Sequence, residues 1–373
     1  MTRDETNHND PEREEPKPTL QVRKGVEPPP PPLRTGAKRA PLSTEEYVEG
    51  VLSGDRNRLA RAITLVESNA PADFARARGV LQSLLPRAGR SIRVGVTGVP
   101  GAGKSTFIET VGMELAGRGH RVAVTAVDPS SSVSGGSILG DKTRMEHLAN
   151  HPGAFIRPSP SGGTLGGVTR KTRETVILFE AAGYDVILIE TVGVGQNEIV
   201  VRSMVDFFLL LLIPGAGDEL QGMKKGIMEI ADAVLVNKAD GGNRDAAERA
   251  RSEYEKALHY LRPATEGWTT KAFAASALTG EGVEGIWRTI ERFVEITRDS
   301  GAFERRRRAQ EREWMHALVR DRLRDLFLLH PEVRRRLPQL EKEVTEGRLP
   351  ATTAAGELLE LFECSPKREE TPE

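Results

Sequence analysis

The sequence contains a single cysteine, Cys364, and no long apolar segment. One thiol excludes an intrachain disulfide and a cysteine-based metal cluster within one chain, and it fits a reducing cytoplasm. The most apolar run, FFLLLLIP at residues 207–214, has eight residues, far fewer than the ~20 that a membrane-spanning helix requires. We therefore expect a cytoplasmic protein without membrane contacts, and we interpret this run as a buried strand.

An excess of charge of one sign is also missing. The chain has 53 basic and 54 acidic side chains, which give a formal net charge of −1. A balanced chain has no overall field that attracts nucleic acid or an anionic membrane surface, so we expect neither as a partner. Any binding of phosphate groups must therefore depend on local motifs.

The distribution of apolar residues predicts five segments. Residues 1–42 are polar and include consecutive prolines at 28–32, so they bury too little apolar surface to fold and should form a disordered, Pro-rich tail. A helix cap at Ser43 and apolar spacings of three and four predict an N-terminal helical segment over residues 43–90. Residues 91–298 should form the main domain, residues 299–363 a C-terminal helical arm, and residues 364–373 a second disordered tail.

Short apolar runs alternate with helical stretches throughout the main domain. Runs that are apolar at consecutive positions, rather than at every second one, are typical of strands covered by helices on both faces. We therefore predict an α/β fold with a mostly parallel sheet flanked by helices. The predicted strands lie at residues 92–96, 122–127, 155–157, 186–189, 207–213, 233–236 and 272–275.

The C-terminal arm carries a wide apolar stripe at helical spacing. Such a face needs cover, either from the parent domain or from a second copy of the chain. Arginines at residues 305–308 are flanked by glutamates, which favours a solvated helix face over a nucleic-acid contact. The stripe consists of Trp314, Met315, Leu318, Val319, Leu323, Leu326 and Phe327.

The sequence GVPGAGKST follows the first predicted strand and matches the phosphate-binding pattern GxxxxGK[ST] in full. Its glycines let backbone N–H groups close around phosphates, and the N-terminus of the next helix adds a favourable partial charge. Lys104 would reach the β- and γ-phosphate oxygens, and Ser105 would provide a hydroxyl to Mg²⁺. These features predict a P-loop NTPase whose nucleotide site includes Gly98, Val99, Pro100, Gly101, Ala102, Gly103, Lys104, Ser105 and Thr106.

A second motif, NKAD at residues 237–240, identifies the base as guanine. The Asp240 carboxylate can accept hydrogen bonds from N1–H and the exocyclic amine of guanine, and adenine offers neither donor in that place. Lys238 would lie along the base, and Asn237 would brace the loop. A third element, Ser276, Ala277 and Leu278, occupies the position from which GTPases present a backbone N–H to guanine O6. Together the three motifs predict GTP rather than ATP.

Acidic residues near the ends of other predicted strands are candidate Mg²⁺ ligands. Asp128 and Glu190 each follow a predicted strand, and Asp141 lies in the sequence between them. Such carboxylates bind Mg²⁺ beside a P-loop, usually through its water ligands. Each of them alone could instead be a helix cap or a surface charge.

The segment ETVG at residues 190–193 occupies the place of the DxxG element of GTPases, with Glu190 in place of Asp. The N–H of Gly193 could bind the γ-phosphate. The next residue is Val194, where Ras-like GTPases have the glutamine that orients the attacking water. We therefore expect slow intrinsic hydrolysis that depends on a partner or on a neighbouring loop.

These motifs resemble those of the MeaB/ArgK-type GTPases, the methylmalonyl-CoA mutase-associated chaperones in the SIMIBI class of P-loop GTPases. The resemblance covers roughly residues 43–330. It rests on GVPGAGKST, NKAD and four further runs: DPSSSVSGGSILGDKTRM at 128–145, RPSPSGGTLGGVTRKT at 157–172, ETVGVGQNE at 190–198 and GAGDELQGMKKGIMEIAD at 215–232.

The resemblance implies a GTP-hydrolysing chaperone that binds an adenosylcobalamin-dependent acyl-CoA mutase, with methylmalonyl-CoA mutase as the first candidate. Members gate the loading of the cofactor and protect and reactivate the mutase. The resemblance places Asp218, Gln221 and Lys224 in an additional switch loop that couples the partner to the nucleotide site, where Lys224 would stabilise charge developing on the phosphates. It also implies a homodimer formed through the C-terminal arm.

Two other functions remain open at this stage. Older naming of the family describes a kinase of amino-acid transport binding proteins, which would use ATP, but the NKAD motif favours guanine. A nickel-insertion metallochaperone GTPase would need soft ligands near the P-loop, and Cys364 is the only cysteine. His147 and His151 are four residues apart on a predicted helix, and we interpret them as surface histidines rather than as a metal pair.

Overall fold

The computed structural model describes residues 42–127, 145–158, 165–191, 197–215 and 221–363. In these residues the strands are β1 (Ile92–Gly98), β2 (Val122–Val127), β3 (Ala154–Arg157), β4 (Val186–Thr191), β5 (Phe207–Leu212), β6 (Ala233–Val236) and β7 (Lys271–Ala274). The helices are α1 (Thr44–Leu52), α2 (Arg56–Val66), α3 (Pro71–Leu84), α4 (Lys104–Gly117), α5 (Glu146–Asn150), α6 (Leu165–Ala181), α7 (Asn197–Arg202), α8 (Gln221–Ile230), α9 (Arg244–His259), α10 (Val283–Asp299), α11 (Ala302–Leu328), α12 (Pro331–Thr345) and α13 (Ala351–Glu363).

Three helices precede the sheet, and local capping fixes where they begin. Ser43 and Glu46 form a capping box at α1, in which the Ser43 hydroxyl accepts from the Glu46 N–H and the Glu46 carboxylate accepts from the Ser43 N–H. Asp55 caps α2 by accepting from the N–H groups of Asn57 and Arg58. The helices α2 and α3 then pack against α6.

The described strands form one parallel sheet in the order β3-β2-β4-β1-β5-β6-β7. The predicted mostly parallel sheet is therefore confirmed. Strands β2, β4 and β5 are buried along their whole length, because helices cover both faces. The ends differ slightly from the prediction: β1 continues to Gly98, β4 continues to Thr191 so that Glu190 lies inside the strand, and β7 ends at Ala274.

The main core lies between the sheet, α4 and α10. Phe207 of β5 and Phe293 of α10 are buried and meet edge to face, with ring centroids 5.0 Å apart. Trp287, six residues earlier on α10, is also buried. Burial of each such side chain stabilises the folded state by roughly 1.5–3 kcal/mol. This shared core therefore holds α4, and the loop that precedes it, against the sheet.

The predicted apolar stripe on the arm is divided among different environments. Met315, Val319, Leu323 and Leu326 are 43–57% exposed along α11. Trp314 and Leu318 line a cavity with α6 and α7 instead, and Phe327 packs with α12 and α13 in a separate small core. The stripe is therefore wider than one helix face, and its exposed part has no cover among the described residues.

Side chains near the start of α11 form hydrogen bonds with the segment just before β5. Arg307 donates from Nε and Nη2 to the two carboxylate oxygens of Asp206, at 2.7 and 2.6 Å. Gln310 donates to the carbonyl oxygen of Val205 at 2.8 Å.

Among the helices in the described ranges, none combines the length and the apolarity that crossing a bilayer requires.

Candidate nucleotide-binding site

The loop between β1 and α4 requires glycine at two positions for steric reasons. A side chain at Gly98 would collide with the carbonyl oxygen of Leu211 on the neighbouring strand β5. Gly103, immediately before α4, has a φ of +85°, and a Cβ there would lie 2.6 Å from Nδ2 of Asn237. Only glycine fits both a left-handed backbone and so close a neighbour. The loop is thus shaped by contacts from β5 and from the segment after β6.

Lys104 and Ser105 begin α4 and direct their side chains to different partners. The Lys104 ammonium donates to the carbonyl oxygens of Gly98 at 2.9 Å and Val99 at 3.4 Å, so it lies across the loop that precedes it. The Ser105 hydroxyl donates to Oε1 of Glu190 at 3.1 Å. Both contacts lie at the carboxyl end of the sheet, where ligands of parallel α/β sheets bind.

Glu190 is buried near the end of β4, with 7% of its surface exposed. The strand β4 lies beside β1 with Glu190 opposite Val96. Thr191 donates a hydrogen bond to Thr97 at 2.9 Å, and both threonines are fully buried. This pairing holds the end of β4 next to the start of the loop, and it brings the Glu190 carboxylate to the first turn of α4.

Asn237 connects three loops at this edge. Its Nδ2 donates to the carbonyl oxygen of Ala102 at 2.7 Å, and its Oδ1 accepts from the N–H of Ala277 at 2.9 Å. The side chain is buried, with 1% exposed. Because both ends of the amide are used, Asn237 fixes the distance between the phosphate-binding loop, the NKAD segment and the segment at residues 276–278.

The predicted base-binding residues lie together as well. The Ser276 hydroxyl donates to the Asp240 carboxylate, which orients that carboxylate. Lys238 has a φ of +63°, and among the described residues it is the only non-glycine residue with a positive φ. Leu278 is 79% exposed. A strained backbone at Lys238, held by the neighbouring hydrogen bonds, is the kind of conformation that binding loops retain.

Sequence patterns did not point to Thr110. This residue lies on α4, and its hydroxyl donates to the carbonyl oxygen of Ala277 at 2.6 Å. The partners are 167 positions apart, so no local pattern could identify them. Thr110 gives the segment at 276–278 a second attachment besides Asn237.

Several predicted residues are not placed by the structure. Asp128, Asp141, Gly193 and Asp218 lie outside the described residues. Gln221 and Lys224 lie in the first turn of α8, which begins at Gln221; their coupling of a partner to the nucleotide site stays a prediction.

The predicted histidine pair does not share a helix. The helix α5 ends at Asn150, and His151 follows it. The ring Nδ1 of His151 accepts from the N–H of Gly153 at 3.1 Å. This local hydrogen bond gives His151 a structural role at the turn before β3.

The family described as methylmalonyl-CoA mutase-associated GTPase MeaB matches residues 59–332 of the chain. A Caulobacter vibrioides protein described as a GTPase is 56% identical over 321 residues, which cover 86% of this chain and 98% of that protein. The mouse mitochondrial methylmalonic aciduria type A homolog is 47% identical over 323 residues, which cover 84% of this chain and 78% of that protein.

Two further relatives agree with this match. The Escherichia coli protein described as GTPase ArgK is 45% identical over 318 residues, covering 85% of this chain and 96% of that protein. A crystal structure described as a LAO/AO transport system kinase superposes with a TM-score of 0.70 at 38% identity, covering 86% of this chain and 97% of that chain. On its sequence and on its fold, the chain belongs to the family of methylmalonyl-CoA mutase-associated GTPases, MeaB.

Proposed function

We propose that the protein is a GTP-hydrolysing chaperone of an adenosylcobalamin-dependent acyl-CoA mutase, with methylmalonyl-CoA mutase as the first candidate. In this role it acts in the cytoplasm, gates loading of the cofactor, and protects and reactivates the mutase. The observation that carries the nucleotide part is the double hydrogen bond of Asn237, which holds the phosphate loop and both base-binding segments at one edge. The mutase part rests on membership of the family.

Guanine selectivity is assigned to Asp240. The Ser276 hydroxyl donates to this carboxylate and orients it, which reduces the entropy lost when it accepts from N1–H and the amine of guanine. ATP would leave these acceptors unmatched at a cost of about 1.5–3 kcal/mol per charged hydrogen bond. The segment Ser276, Ala277 and Leu278 then supplies the backbone N–H for guanine O6.

The residues present fit Mg²⁺ as the nucleotide's metal. The Ser105 hydroxyl and the Glu190 carboxylate lie within hydrogen-bond distance of each other, and oxygen donors of these two kinds are those that Mg²⁺ prefers. Asp128 and Asp141 remain predicted members of this set. The metal, when bound, neutralises charge on the phosphates. Lys104 and the Gly193 N–H would bind the phosphate oxygens, and Lys224, with Asp218 and Gln221, would complete the site when the partner docks.

A homodimer is part of the proposal. The exposed apolar residues Met315, Val319, Leu323 and Leu326 lie on one side of α11 at spacings of three and four. A contiguous apolar face of this kind marks an interaction surface, and a second copy of the same helix would cover it through a two-fold contact.

The experiment is GTP turnover by the purified protein, alone and with methylmalonyl-CoA mutase. We expect slow turnover alone and a several-fold increase with the mutase. Lys224→Ala should leave the affinity for GTP nearly unchanged and remove the stimulated component, whereas the adjacent Lys225→Ala should keep it. No stimulation by any cobalamin-dependent acyl-CoA mutase would reject the chaperone assignment.

The competing assignment is a kinase, because a relative of known structure is described as one. Competition binding separates the two. We expect unlabelled GTP to displace a labelled guanine nucleotide at concentrations at which ATP does not. Equal displacement by ATP would favour the kinase.

A further inference from the structure

The turn after β7 presents a row of backbone N–H groups beside the NKAD segment. From residue 275 to residue 281 every N–H except one donates to an acceptor that the structure describes. These hydrogen bonds run from Ala275 to the Val236 carbonyl, Ser276 to the Glu281 carbonyl, Ala277 to Oδ1 of Asn237, Thr279 to the Ser276 hydroxyl, Gly280 to the Ser276 carbonyl and Glu281 to the Thr279 hydroxyl. The exception is Leu278, whose N–H has no acceptor among the described residues. This N–H is therefore available to a ligand.

The two residues before Leu278 are less suited to donate to a ligand. Ser276 and Ala277 are 0% and 3% exposed, whereas Leu278 is 79% exposed. The N–H of Ala277 donates to Oδ1 of Asn237 at 2.9 Å, and Nδ2 of the same buried amide donates to Ala102 in the phosphate-binding loop. Releasing Ala277 would leave a buried acceptor on Asn237 unpaired and would break this brace. Leu278 is therefore the residue of the segment that can donate to guanine O6 without loss of a protein hydrogen bond.

Thr110 of α4 fixes the orientation of the peptide unit that contains this N–H. Its hydroxyl donates to the carbonyl oxygen of Ala277 at 2.6 Å. That carbonyl and the N–H of Leu278 belong to one peptide unit, and in a planar trans peptide the two groups point in opposite directions. Because Thr110 holds the carbonyl toward α4, the N–H of Leu278 points away from α4. Thr110 thus acts on the donor without contacting the nucleotide itself.

The same helix also carries the phosphate-binding residues. Thr110 lies six residues after Lys104, at which α4 begins. Its hydrogen bond therefore sets the peptide before Leu278 in a fixed relation to the phosphate-binding loop. In the same turn, the Ser276 hydroxyl donates to the carboxylate of Asp240. Two hydroxyl groups thus orient two candidate contacts for the base, the acceptor at Asp240 and the donor at Leu278.

We propose that Thr110 is a positioning residue for guanine, which aims the N–H of Leu278 at O6 by holding the Ala277 carbonyl. This inference rests on the proposed GTP site, and it names the O6 donor and the side chain that orients it. Guanine carries an acceptor at position 6, where adenine carries an amine that is itself a donor. An N–H fixed in this place therefore adds to the discrimination against ATP that is assigned to Asp240.

The test compares three diphosphates as competitors of fluorescent mant-GDP on the full chain. GDP carries every contact, 6-thio-GDP replaces O6 by sulfur, a weaker acceptor, and IDP keeps O6 but lacks the exocyclic amine. We expect the native chain to bind GDP about tenfold more tightly than 6-thio-GDP. Thr110→Val keeps the shape of the side chain and removes the hydroxyl. It should weaken GDP and IDP about three- to tenfold each and leave 6-thio-GDP nearly unchanged.

The affinity ratio of GDP to 6-thio-GDP is the decisive measurement, because a general loosening of the turn would weaken all three nucleotides alike. The ratio should fall to about threefold or less in Thr110→Val and return to the native value in Thr110→Ser, which restores the hydroxyl. The matched control is Thr64→Val, at an exposed threonine of α2 whose hydroxyl donates within its own helix to Ala60. It should bind all three nucleotides as the native chain does.

Leu278→Pro tests the donor directly, because proline has no N–H. The N–H of Leu278 has no acceptor among the described residues, so the substitution breaks no hydrogen bond seen there, and it should lower the same ratio. A native ratio in Thr110→Val, or an equal loss for all three nucleotides, overturns the inference. Failure of the proposed GTP site gives a different result, in which ADP displaces mant-GDP from the native chain as well as GDP does.

Discussion

The hydroxyl of Ser105 donates a hydrogen bond to Oε1 of Glu190 at 3.1 Å, and so links the first turn of α4 to the end of β4. The two residues are 85 positions apart, and they meet because β1 and β4 are adjacent strands of the sheet. A hydroxyl and a carboxylate placed together beside a phosphate-binding loop form a metal-binding pair in P-loop proteins. The contact therefore leads directly to a test of magnesium dependence.

Glu190→Gln preserves the size of the side chain and an oxygen acceptor for Ser105 but removes the negative charge. We expect GTP turnover at saturating nucleotide to fall about 10- to 100-fold. The Mg²⁺ concentration that gives half-maximal turnover should rise, and the affinity for the nucleotide should change little. The control is Glu253→Gln, which changes an exposed glutamate on α9. Turnover within threefold of the native value across a magnesium titration would show that Glu190 does not serve the metal.

Asn237→Ala removes both hydrogen bonds that brace the site. The N–H of Ala277 and the carbonyl oxygen of Ala102 then lose their partners in a buried region, which costs roughly 1–3 kcal/mol for each buried group left unpaired. We expect GTP affinity to fall by at least tenfold, measured with a fluorescent guanine nucleotide. Asn243→Ala, in the exposed turn after the same motif, should bind GTP as the native chain does, and a matching loss there would contradict the assignment.

The sequence was enough to predict the phosphate loop, the NKAD segment and the strand positions, because each of these depends on residues that are consecutive in the chain. The brace from Asn237 to Ala102 spans 135 positions and the one from Thr110 to Ala277 spans 167. Such pairs meet only once the strands are ordered, so no local pattern encodes them. No local pattern predicts the unpaired Nε of Arg173 either, because its burial depends on the packing of α6, α7 and α11.

Two glycines of the phosphate loop allow backbone strain to be separated from steric conflict. Gly101 and Gly103 have φ values of +76° and +85°, but only a Cβ at Gly103 meets another residue, Asn237. In the nucleotide-free protein Gly101→Ala should cost about 1–2 kcal/mol of unfolding free energy from the left-handed backbone alone. Gly103→Ala should lower the unfolding free energy by more than Gly101→Ala does, because its Cβ also meets Asn237. Urea unfolding measures both losses. Equal losses would mean that Asn237 moves aside without penalty.

Arg307 holds the base of α11 through Asp206, which is 1% exposed. Arg307→Met keeps much of the aliphatic stem but leaves a buried carboxylate without its cation. We expect the free energy of unfolding to fall by roughly 3–5 kcal/mol, measured by urea unfolding. Arg308→Gln, at the next and exposed position, should change it by less than about 0.5 kcal/mol. A small loss in Arg307→Met would show that the arm is held mainly by its other contacts.

Glu174, partly buried on α6, makes stability depend on pH. Burial raises its pKa from 4.5 to about 7, against the opposing charges of Arg170 and Lys171. The folded state therefore binds the proton more tightly than the unfolded state, so this contribution to stability is complete below pH 4.5 and is lost as the pH rises through 7. Glu174→Gln should abolish that loss.

The stability of Glu174→Gln relative to the native chain should therefore increase between pH 4.5 and pH 7, by about 1–3 kcal/mol in total, and change little at higher pH. Urea unfolding at several pH values measures this difference, and any constant effect of the substitution cancels in the comparison. The difference in unfolding free energy between Glu253→Gln and the native chain should stay constant over the same pH interval. If the difference between Glu174→Gln and the native chain is also constant, the pKa of Glu174 is the same in the folded and unfolded chains.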